Sequence, residues 1–268
     1  MVIRLAVDVG NTETVLGLFR GIEPVDTWRL STDPHRTADE LRLVVEGVLD
    51  RAPAEVVSSL ERAAVASVVP PMDRMWDETL AGLGLEVLRL DADTELPIRL
   101  DVDEPETVGA DRIANTLACR ELYGRDTVVA DLGTATTFDC VTADGVFVGG
   151  VIAPGPRAGM ERLAETASKL PRGEIEPPER VIGRNTGACL TSGIFYSVVD
   201  GIDGVVERIL GEWNRQDPLV VATGGLAGVI AEHCRTVERI EPTLTLAGLA
   251  AADRHVAGVD PAPASARR

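Results

Sequence analysis

The sequence feature that most constrains the fold is a pattern of strand, polar turn and strand that occurs once in each half of the chain. In the first half, an apolar run rich in β-branched residues spans 2–7, a polar turn follows at 8–12, and apolar residues resume over 14–19. Apolar runs interrupted by a short polar turn are typical of two paired β-strands. The chain is therefore predicted to begin with a β-hairpin.

The same pattern returns in the second half. An apolar strand at 127–130 leads into a polar turn at 131–137, and a second strand follows at 138–142. A third strand at 146–150 comes directly after the dipeptide Asp144-Gly145, which is a strong hairpin signal. Two similar patterns in one chain predict a duplicated domain.

Helical patterns follow each hairpin. Thr37 and Glu40 have the spacing of a helix-capping pair. Periodicity predicts helices at 41–49, 156–169 and 190–210, and apolar runs predict strands at 63–69 and 218–222. Alternating strands and helices indicate an α/β fold with two related domains and a central cleft. We place the domains at residues 1–120 and 121–258, with a disordered tail at 259–268.

Composition excludes two classes of partner. The formal charge of −17 opposes binding to nucleic acids, because attraction to phosphates supplies most of their non-specific affinity. No uninterrupted apolar run approaches the roughly 20 residues of a membrane helix. The first residues also lack the basic start and cleavage site of a secretory signal. We therefore expect a cytoplasmic protein with no nucleic-acid or membrane partner.

The two hairpin turns have the residues that phosphate binding requires. Gly10 and Gly133 allow backbone N–H groups to approach an anion closely, and neighbouring Thr and Asn side chains add donors. Asp8 and Asp131 would repel phosphate directly, but a carboxylate suits a hydrated Mg²⁺ or another cation that bridges to phosphate. Each turn alone could be an ordinary Asx-type turn. Their equivalent places in the two halves favour phosphate binding.

A third glycine-containing turn lies at residues 223–227, after the apolar strand that precedes it. Its pair Gly224-Gly225 could admit the adenosine part of a nucleotide close to the backbone. A simple strand-to-helix turn would have the same sequence. The phosphate-loop motif and the spaced-glycine dinucleotide motif do not occur as strand-turn-helix patterns, which argues against those folds.

Two Asp-x-Gly turns and a later Gly-Gly turn resemble the superfamily of acetate and sugar kinases, Hsp70 proteins and actin, whose duplicated domains are ribonuclease H-like. Further motifs narrow the resemblance to type III pantothenate kinases, and they occur in family order over nearly the whole chain. These motifs are residues 8–12, 36–40, 67–71, 109–112, 131–137, 150–155, 182–186 and 223–225.

This resemblance implies the activity: phosphorylation of pantothenate by ATP, the first step of coenzyme A biosynthesis. It implies Mg²⁺ and a monovalent cation, K⁺ or NH₄⁺, held by Asp131. The implied ATP-binding residues are Asp8, Val9, Gly10, Asn11, Thr12, Glu13, Thr14, Val15 and Thr134. The implied pantothenate-binding residues are Gly109, Ala110, Asp111, Arg112 and Thr186, and the implied catalytic base is Asp111.

The chemistry of the reaction needs residues of these types. A carboxylate beside the substrate can accept the proton of a primary hydroxyl as the bond to phosphorus forms, which suits Asp111. The planar fork of Arg112 suits the carboxylate of pantothenate. An ion pair at the start of a helix spanning 112–122 would have the same sequence.

The resemblance also implies a homodimer in which the neighbour walls part of each pantothenate site. The apolar residues of 189–210 are sufficient for both a core face and a partner face, although a core helix alone would read similarly. One departure from the family is Val102, where a Tyr is usual. Val can neither stack as a ring nor donate a hydrogen bond.

Two other functions fit the same motifs. One is a kinase of this fold that acts on a different small hydroxy acid, which would differ only around Asp111, Arg112 and Thr186. The other is a non-catalytic, nucleotide-binding transcriptional accessory protein. An assay of ADP release with ATP and pantothenate separates the second function from the enzyme.

Overall fold

The fold is taken from a computed structural model that describes residues 2–160 and 175–259. The chain forms two compact units. The first comprises Met1–Tyr123 together with Thr243–Arg268, and the second comprises Gly124–Pro242. The predicted boundary near residue 120 is close to this division. Residues 243–258 differ from the prediction, because they belong to the first unit.

The described residues form both strands and helices, as an α/β fold requires. The strands are β1 (Ile3–Val9), β2 (Glu13–Arg20), β3 (Glu23–Ser31), β4 (Leu60–Ser67), β5 (Glu86–Arg89), β6 (Arg99–Leu100), β7 (Thr127–Leu132), β8 (Ala135–Val141), β9 (Val146–Pro154), β10 (Leu219–Thr223) and β11 (Arg239–Ile240). The α-helices are α1 (Ala38–Leu49), α2 (Ala54–Val57), α3 (Pro70–Gly82), α4 (Ala110–Leu122), α5 (Thr186–Trp213), α6 (Ala227–Ile230) and α7 (Leu244–Val256). Short 3₁₀ turns span Pro105–Thr107 and Ala231–His233.

The two units have the same strand topology. In the first, the order is β3–β2–β1–β4–β5, with β1–β2 and β2–β3 antiparallel and β4 and β5 parallel to β1. In the second, the strands run in the order β9–β8–β7–β10–β11, with the same sequence of antiparallel and parallel pairs. The predicted duplication is confirmed, and the two Asp-x-Gly turns occupy equivalent hairpins.

Alternation along β1 places its side chains in two separate cores. Leu5, Val7 and Val9 pack with α1 and α3 on one face, through large residues such as Trp76. Ala6 points to the other face, where it packs with α4 and α7. Residues i and i+2 of a strand share a face. Both faces of the central strand are thus covered by helices, which explains why it reads as a continuous apolar run.

The predicted cap of α1 is confirmed in detail. The Thr37 hydroxyl accepts a hydrogen bond from the Glu40 N–H at 3.2 Å, and the Glu40 carboxylate accepts one from the Thr37 N–H at 2.8 Å. These two bonds satisfy N–H groups that the first turn of a helix leaves without intrahelical partners. Among the other predicted elements, residues 156–160 are helical. The remainder of the helix predicted at 156–169 lies outside the described residues.

Helix α5 is long enough and apolar enough to cross a membrane by length and composition alone. This differs from the sequence expectation, because a search for uninterrupted apolar runs passes over a helix with scattered polar residues. Phe195, Val199 and Val206 of α5 pack in the core of the second unit. The buried Asp203 carboxylate accepts hydrogen bonds from the N–H groups of Arg235 and Thr236. These contacts are those of a core helix.

Candidate active site

The first Asp-x-Gly turn closes the hairpin between β1 and β2. Asp8 is the penultimate residue of β1, and the Gly10 N–H donates a hydrogen bond to the Glu13 carbonyl at 3.1 Å. Asn11 and Thr12 are exposed at the tip of the turn. The turn therefore presents backbone and small polar side chains to solvent, as an anion-binding turn must.

Thr32, which immediately follows β3, binds this turn at two carbonyl groups. Its hydroxyl donates to the Gly10 carbonyl at 2.6 Å, and its N–H donates to the Thr12 carbonyl at 3.0 Å. Its hydroxyl oxygen also lies 2.9 Å from that of the buried Thr14. No sequence pattern predicts this role for Thr32, because a threonine after a weakly patterned strand has no distinctive signal.

The Gly-Ala-Asp-Arg segment begins helix α4. Gly109 is the N-cap, and Asp111 is the second residue of the helix. The Asp111 carboxylate accepts a hydrogen bond from the Arg112 N–H at 2.9 Å. A methyl group on Gly109 would lie 2.5 Å from the Asp111 carboxylate oxygen. Glycine is thus required here for the carboxylate to occupy its observed position.

The surroundings of Asp111 change the acidity of its carboxyl group. Burial of the carboxylate raises the pKa of Asp111 above its ordinary value, and this effect outweighs the opposing hydrogen bond and positive charge of Arg112. A raised pKa makes a carboxylate a stronger base. The side chain is therefore suited to accept a proton from an alcohol.

Helix α4 is fixed by its neighbours in the first unit. It packs along α7, with Ile113, Leu117, Leu246 and Leu249 in one core cluster. The Thr245 hydroxyl lies 2.9 Å from the Asn115 side-chain oxygen, and both residues are buried. Since Asn115 is one turn beyond Asp111, this contact restrains the helix end that carries the proposed base.

The strand that enters the first turn and the N-cap of α4 both contact Val68, in the segment after β4. The Val68 N–H donates to the Val9 carbonyl at 3.1 Å, so the segment after β4 is bonded to the strand that enters the turn. Val68 is also next to Gly109, since a methyl group on Gly109 would lie 3.8 Å from a Val68 methyl carbon. The sequence motifs 8–12, 67–71 and 109–112 are therefore brought together by the carboxyl ends of β1 and β4 and the start of α4.

The second Asp-x-Gly turn has the equivalent position in the second unit. Asp131 is the penultimate residue of β7, and the Gly133 N–H donates to the Ala135 carbonyl at 3.1 Å. Thr134 is exposed at the tip of the turn. This turn matches the first in position. In both turns the glycine N–H donates to a carbonyl further along the chain, three residues on for Gly10 and two residues on for Gly133.

Two glycines from distant parts of the sequence pack directly against this second turn. A methyl group on Gly224 would lie 2.7 Å from the Leu132 nitrogen, and Gly224 has a φ of +91° that other residues rarely adopt. A methyl group on Gly155 would lie 2.7 Å from the Gly133 carbonyl oxygen. The predicted motifs 131–137, 150–155 and 223–225 are thus assembled around Asp131.

The donors near Asp131 suit a hard cation. The Asp131 carboxylate lies against the backbone of Gly224, and carboxylate and carbonyl oxygens are the ligands that such cations prefer. Across 2–160 and 175–259 there is no cluster of three or more His, Cys, Asp or Glu side chains that could hold a metal. A cation at Asp131 would therefore draw on backbone, water or phosphate oxygens as well.

Thr186 is the first residue of helix α5 in the second unit. Asn185 caps this helix, since its side chain accepts a hydrogen bond from the Ala188 N–H at 2.9 Å. The preceding segment folds back on the helix through a bond from the Ser192 hydroxyl to the Val181 carbonyl at 2.7 Å. Thr186 is exposed at a helix N-terminus, where N–H groups favour an anion.

Solved structures with similar folds include a sugar kinase and a protein with a different described role. A ROK hexokinase from Thermus thermophilus aligns with a TM-score of 0.54 at 13% identity, over 96% of this chain and 100% of that one. A protein from Campylobacter jejuni, described as a Baf family transcriptional activator, aligns with a TM-score of 0.58 at 16% identity, over 95% and 99% of the two chains. At these identities the likeness shows the fold alone.

Sequence comparison identifies the family. The family model of type III pantothenate kinase matches residues 4–208. A type III pantothenate kinase from Frankia alni is 42% identical over 245 residues, which are 91% of this chain and 96% of the relative. With its duplicated fold, its paired glycine turns and its Gly-Ala-Asp-Arg segment, the chain belongs to the type III pantothenate kinase family.

Proposed function

We propose that this protein transfers the γ-phosphoryl group of ATP to the primary hydroxyl of pantothenate and forms 4'-phosphopantothenate, the first step of coenzyme A biosynthesis. The proposal is supported by membership of the family and by the residues assembled in each unit. The expected location is the cytoplasm, where ATP and pantothenate are both present.

The observation that carries the proposal is the position of Asp111. This partly buried carboxylate has a raised pKa and lies at the start of α4. Val68 contacts both the N-cap of α4 and the strand that enters the first glycine turn, for which we propose phosphate binding. A phosphoryl acceptor must be oriented and relieved of its proton beside the phosphate that it attacks. The first unit contains both groups that this step requires.

Each residue has a defined part in the proposed reaction. Residues 8–15 form the turn that binds the ATP phosphates, and Thr134 of the second turn contacts ATP. Mg²⁺ would neutralise phosphate charge near these turns. The alcohol oxygen attacks the γ-phosphorus, the bond to ADP breaks, and Asp111 takes the hydroxyl proton. Arg112 binds the pantothenate carboxylate through its planar fork, and Thr186 contributes a further contact.

The assay that tests this function couples ADP release to NADH oxidation, with ATP present and with or without pantothenate. We expect steady turnover only with pantothenate, and a higher kcat/KM for pantothenate than for pantoate or pantetheine. The comparison of kcat/KM among the three substrates also tests whether Val102, in place of the usual Tyr, changes the substrate. A preference for pantoate would assign a different hydroxy acid, and turnover independent of all three would exclude this function.

We propose that Asp131 holds the activating monovalent cation, and we expect Asp131→Ala to raise the K⁺ concentration for half-maximal activity by about 10- to 100-fold. This range corresponds to the loss of a charged ligand worth about 1.5–3 kcal/mol. The K⁺ dependence of kcat is the measurement. Asp200→Ala removes an exposed carboxylate elsewhere in the second unit and should leave that dependence unchanged. An Asp131→Ala enzyme with the wild-type K⁺ response would contradict the assignment.

We also propose a homodimer, supported by apolar side chains exposed beside the N-terminus of α5. Val181 and Ile182 are 66% and 83% exposed, and exposed apolar residues that are grouped together are typical of protein interfaces. The Ile182→Glu variant should shift the light-scattering mass from twice the chain mass of 28.5 kDa to that mass. Leu43→Glu, at an exposed leucine of the first unit, should not. A wild-type mass of 28.5 kDa would contradict the dimer.

A further inference from the structure

We infer that Thr32 is a positioning residue for the ATP phosphate turn: it orients the Gly10–Glu13 backbone so that N–H groups face the anion. The inference rests on the proposed role of residues 8–15 in binding ATP. It adds a residue outside the motifs that carry the family resemblance, immediately after β3.

The hydrogen bonds of Thr32 have only one consistent direction. A hydroxyl carries a single hydrogen, and the Thr32 hydroxyl donates it to the Gly10 carbonyl at 2.6 Å. In the 2.9 Å contact between the two hydroxyl oxygens, the donor must then be Thr14. The chain of bonds runs from Thr14 to Thr32 to the carbonyl of Gly10, and the Thr32 N–H holds the Thr12 carbonyl at 3.0 Å.

Holding these two carbonyl groups determines where the neighbouring N–H groups point. Carbonyl and N–H lie on opposite sides of a planar trans peptide unit, and the described backbone contains no cis peptide bonds. With the carbonyls of Gly10 and Thr12 turned toward Thr32, the N–H groups of Asn11 and Glu13 point away from it. Thr32 thus draws two partial negative charges away from the face on which an anion would bind.

The same bonds limit rotation of the turn. Asn11 and Thr12 are exposed, so core packing does not fix their peptide orientation. A peptide unit that rotated would present a carbonyl oxygen to a phosphate oxygen, and the two would repel. Pre-orientation of N–H donors is the means by which such turns bind anions at low energetic cost. The effect of Thr32 should therefore appear in ATP affinity.

The experiment compares Thr32→Val with Thr32→Ser in the ADP-release assay. Valine matches threonine in shape and lacks the hydroxyl, and the backbone bond to Thr12 remains. We expect Thr32→Val to lower kcat/KM for ATP by about 5- to 100-fold, the range for a carbonyl that loses its partner. The KM for pantothenate should change by less than about twofold, and Thr32→Ser should restore kcat/KM for ATP to within about threefold of wild type.

Two further variants make the result decisive. Thr27→Val introduces the same chemical change at an exposed position of β3 and should leave both kinetic constants unchanged. Gly10→Ala would place a methyl group 2.8 Å from the Glu13 carbonyl and should weaken ATP binding in its own right. All variants are assayed at a temperature at which thermal melting shows them to be folded.

The possible outcomes separate this inference from the assignment of the turn. If Gly10→Ala weakens ATP binding and Thr32→Val does not, the positioning role is wrong and the turn assignment stands. If neither variant affects ATP, both are wrong. If Thr32→Val does not fold, Thr32→Ser provides the test. Serine keeps the hydroxyl, so a KM for ATP raised by more than about tenfold in this variant would contradict a role for the hydroxyl. Equal losses for ATP and pantothenate would indicate a structural role only.

Discussion

Replacing Asp111 with Asn lowers kcat by about two to four orders of magnitude, the range found when a general base is removed. The amide keeps the shape of the carboxylate but cannot accept the proton of the attacking alcohol. Because the amide oxygen of Asn can still accept the hydrogen bond from the Arg112 N–H, the start of α4 should keep its structure. Pantothenate should therefore still bind, which isothermal titration calorimetry would measure.

The pH dependence of kcat/KM provides an independent check on Asp111. A base must be deprotonated to act, so activity falls as pH drops through its pKa. Since burial raises the pKa of Asp111, the acid limb should lie above the value of about 3.9 for an exposed aspartate. Asp111→Asn should lose this limb, and Asp101→Asn, at an exposed carboxylate of the same unit, should retain it. Wild-type turnover by Asp111→Asn would remove this residue from the mechanism.

Replacing Gly224 with Ala destabilises the second unit and abolishes most activity. The new methyl group would lie 2.7 Å from the Leu132 nitrogen, at a φ of +91° that is strained for any residue with a side chain. Strain of this kind costs about 1–3 kcal/mol, and the steric conflict adds to it. Because the conflict is with the strand that carries Asp131, the turn must shift. We expect a lower free energy of unfolding in urea and a loss of K⁺-activated turnover.

Gly228→Ala is the matched control for this change. Gly228 lies in α6, four residues beyond Gly224, and a methyl group there would meet no atom within 4 Å. Alanine is also the better helix former, so this variant should be as stable as the wild type and fully active. Gly224→Ala with wild-type stability and K⁺ response would show that the close contact with the second turn is not needed.

The parts of the fold that could be predicted are those in which local pattern and packing agree. The strands β1 and β7 are buried on both faces, so their composition alone distinguishes them from turns. The cap formed by Thr37 and Glu40 is a contact between residues three apart, which the sequence displays directly. The two Asp-x-Gly turns were predicted for the same reason, because each is a single short segment between two apolar runs.

Other parts depend on contacts that no local pattern contains. Strand β3 is exposed or partly buried along its whole length, so it has no apolar run, and Thr32 at its end was missed with it. Helix α7 was placed in the second domain because it follows that domain in sequence. Its Leu246 and Leu249 pack on α4 of the first unit. Long-range packing of this kind is decided by tertiary structure.

The candidate site likewise has features that the sequence predicts and features that depend on long-range contacts. Motif order predicted which segments matter, but not that Gly155 and Gly224 would pack against one turn. The raised pKa of Asp111 likewise depends on burial by neighbouring elements, which a sequence does not display. The roles of Asp8, Thr134, Arg112 and Thr186 are proposals that rest on family resemblance and residue chemistry.

The central claim is that the phosphoryl group of ATP is transferred to the alcohol of pantothenate, and ³¹P NMR of the purified enzyme with MgATP, K⁺ and pantothenate tests it most directly. We predict one phosphomonoester signal that grows as the γ-phosphate signal declines, in equal amounts with ADP and coupled to the protons of the primary carbinol. Release of inorganic phosphate with unchanged pantothenate would contradict the account.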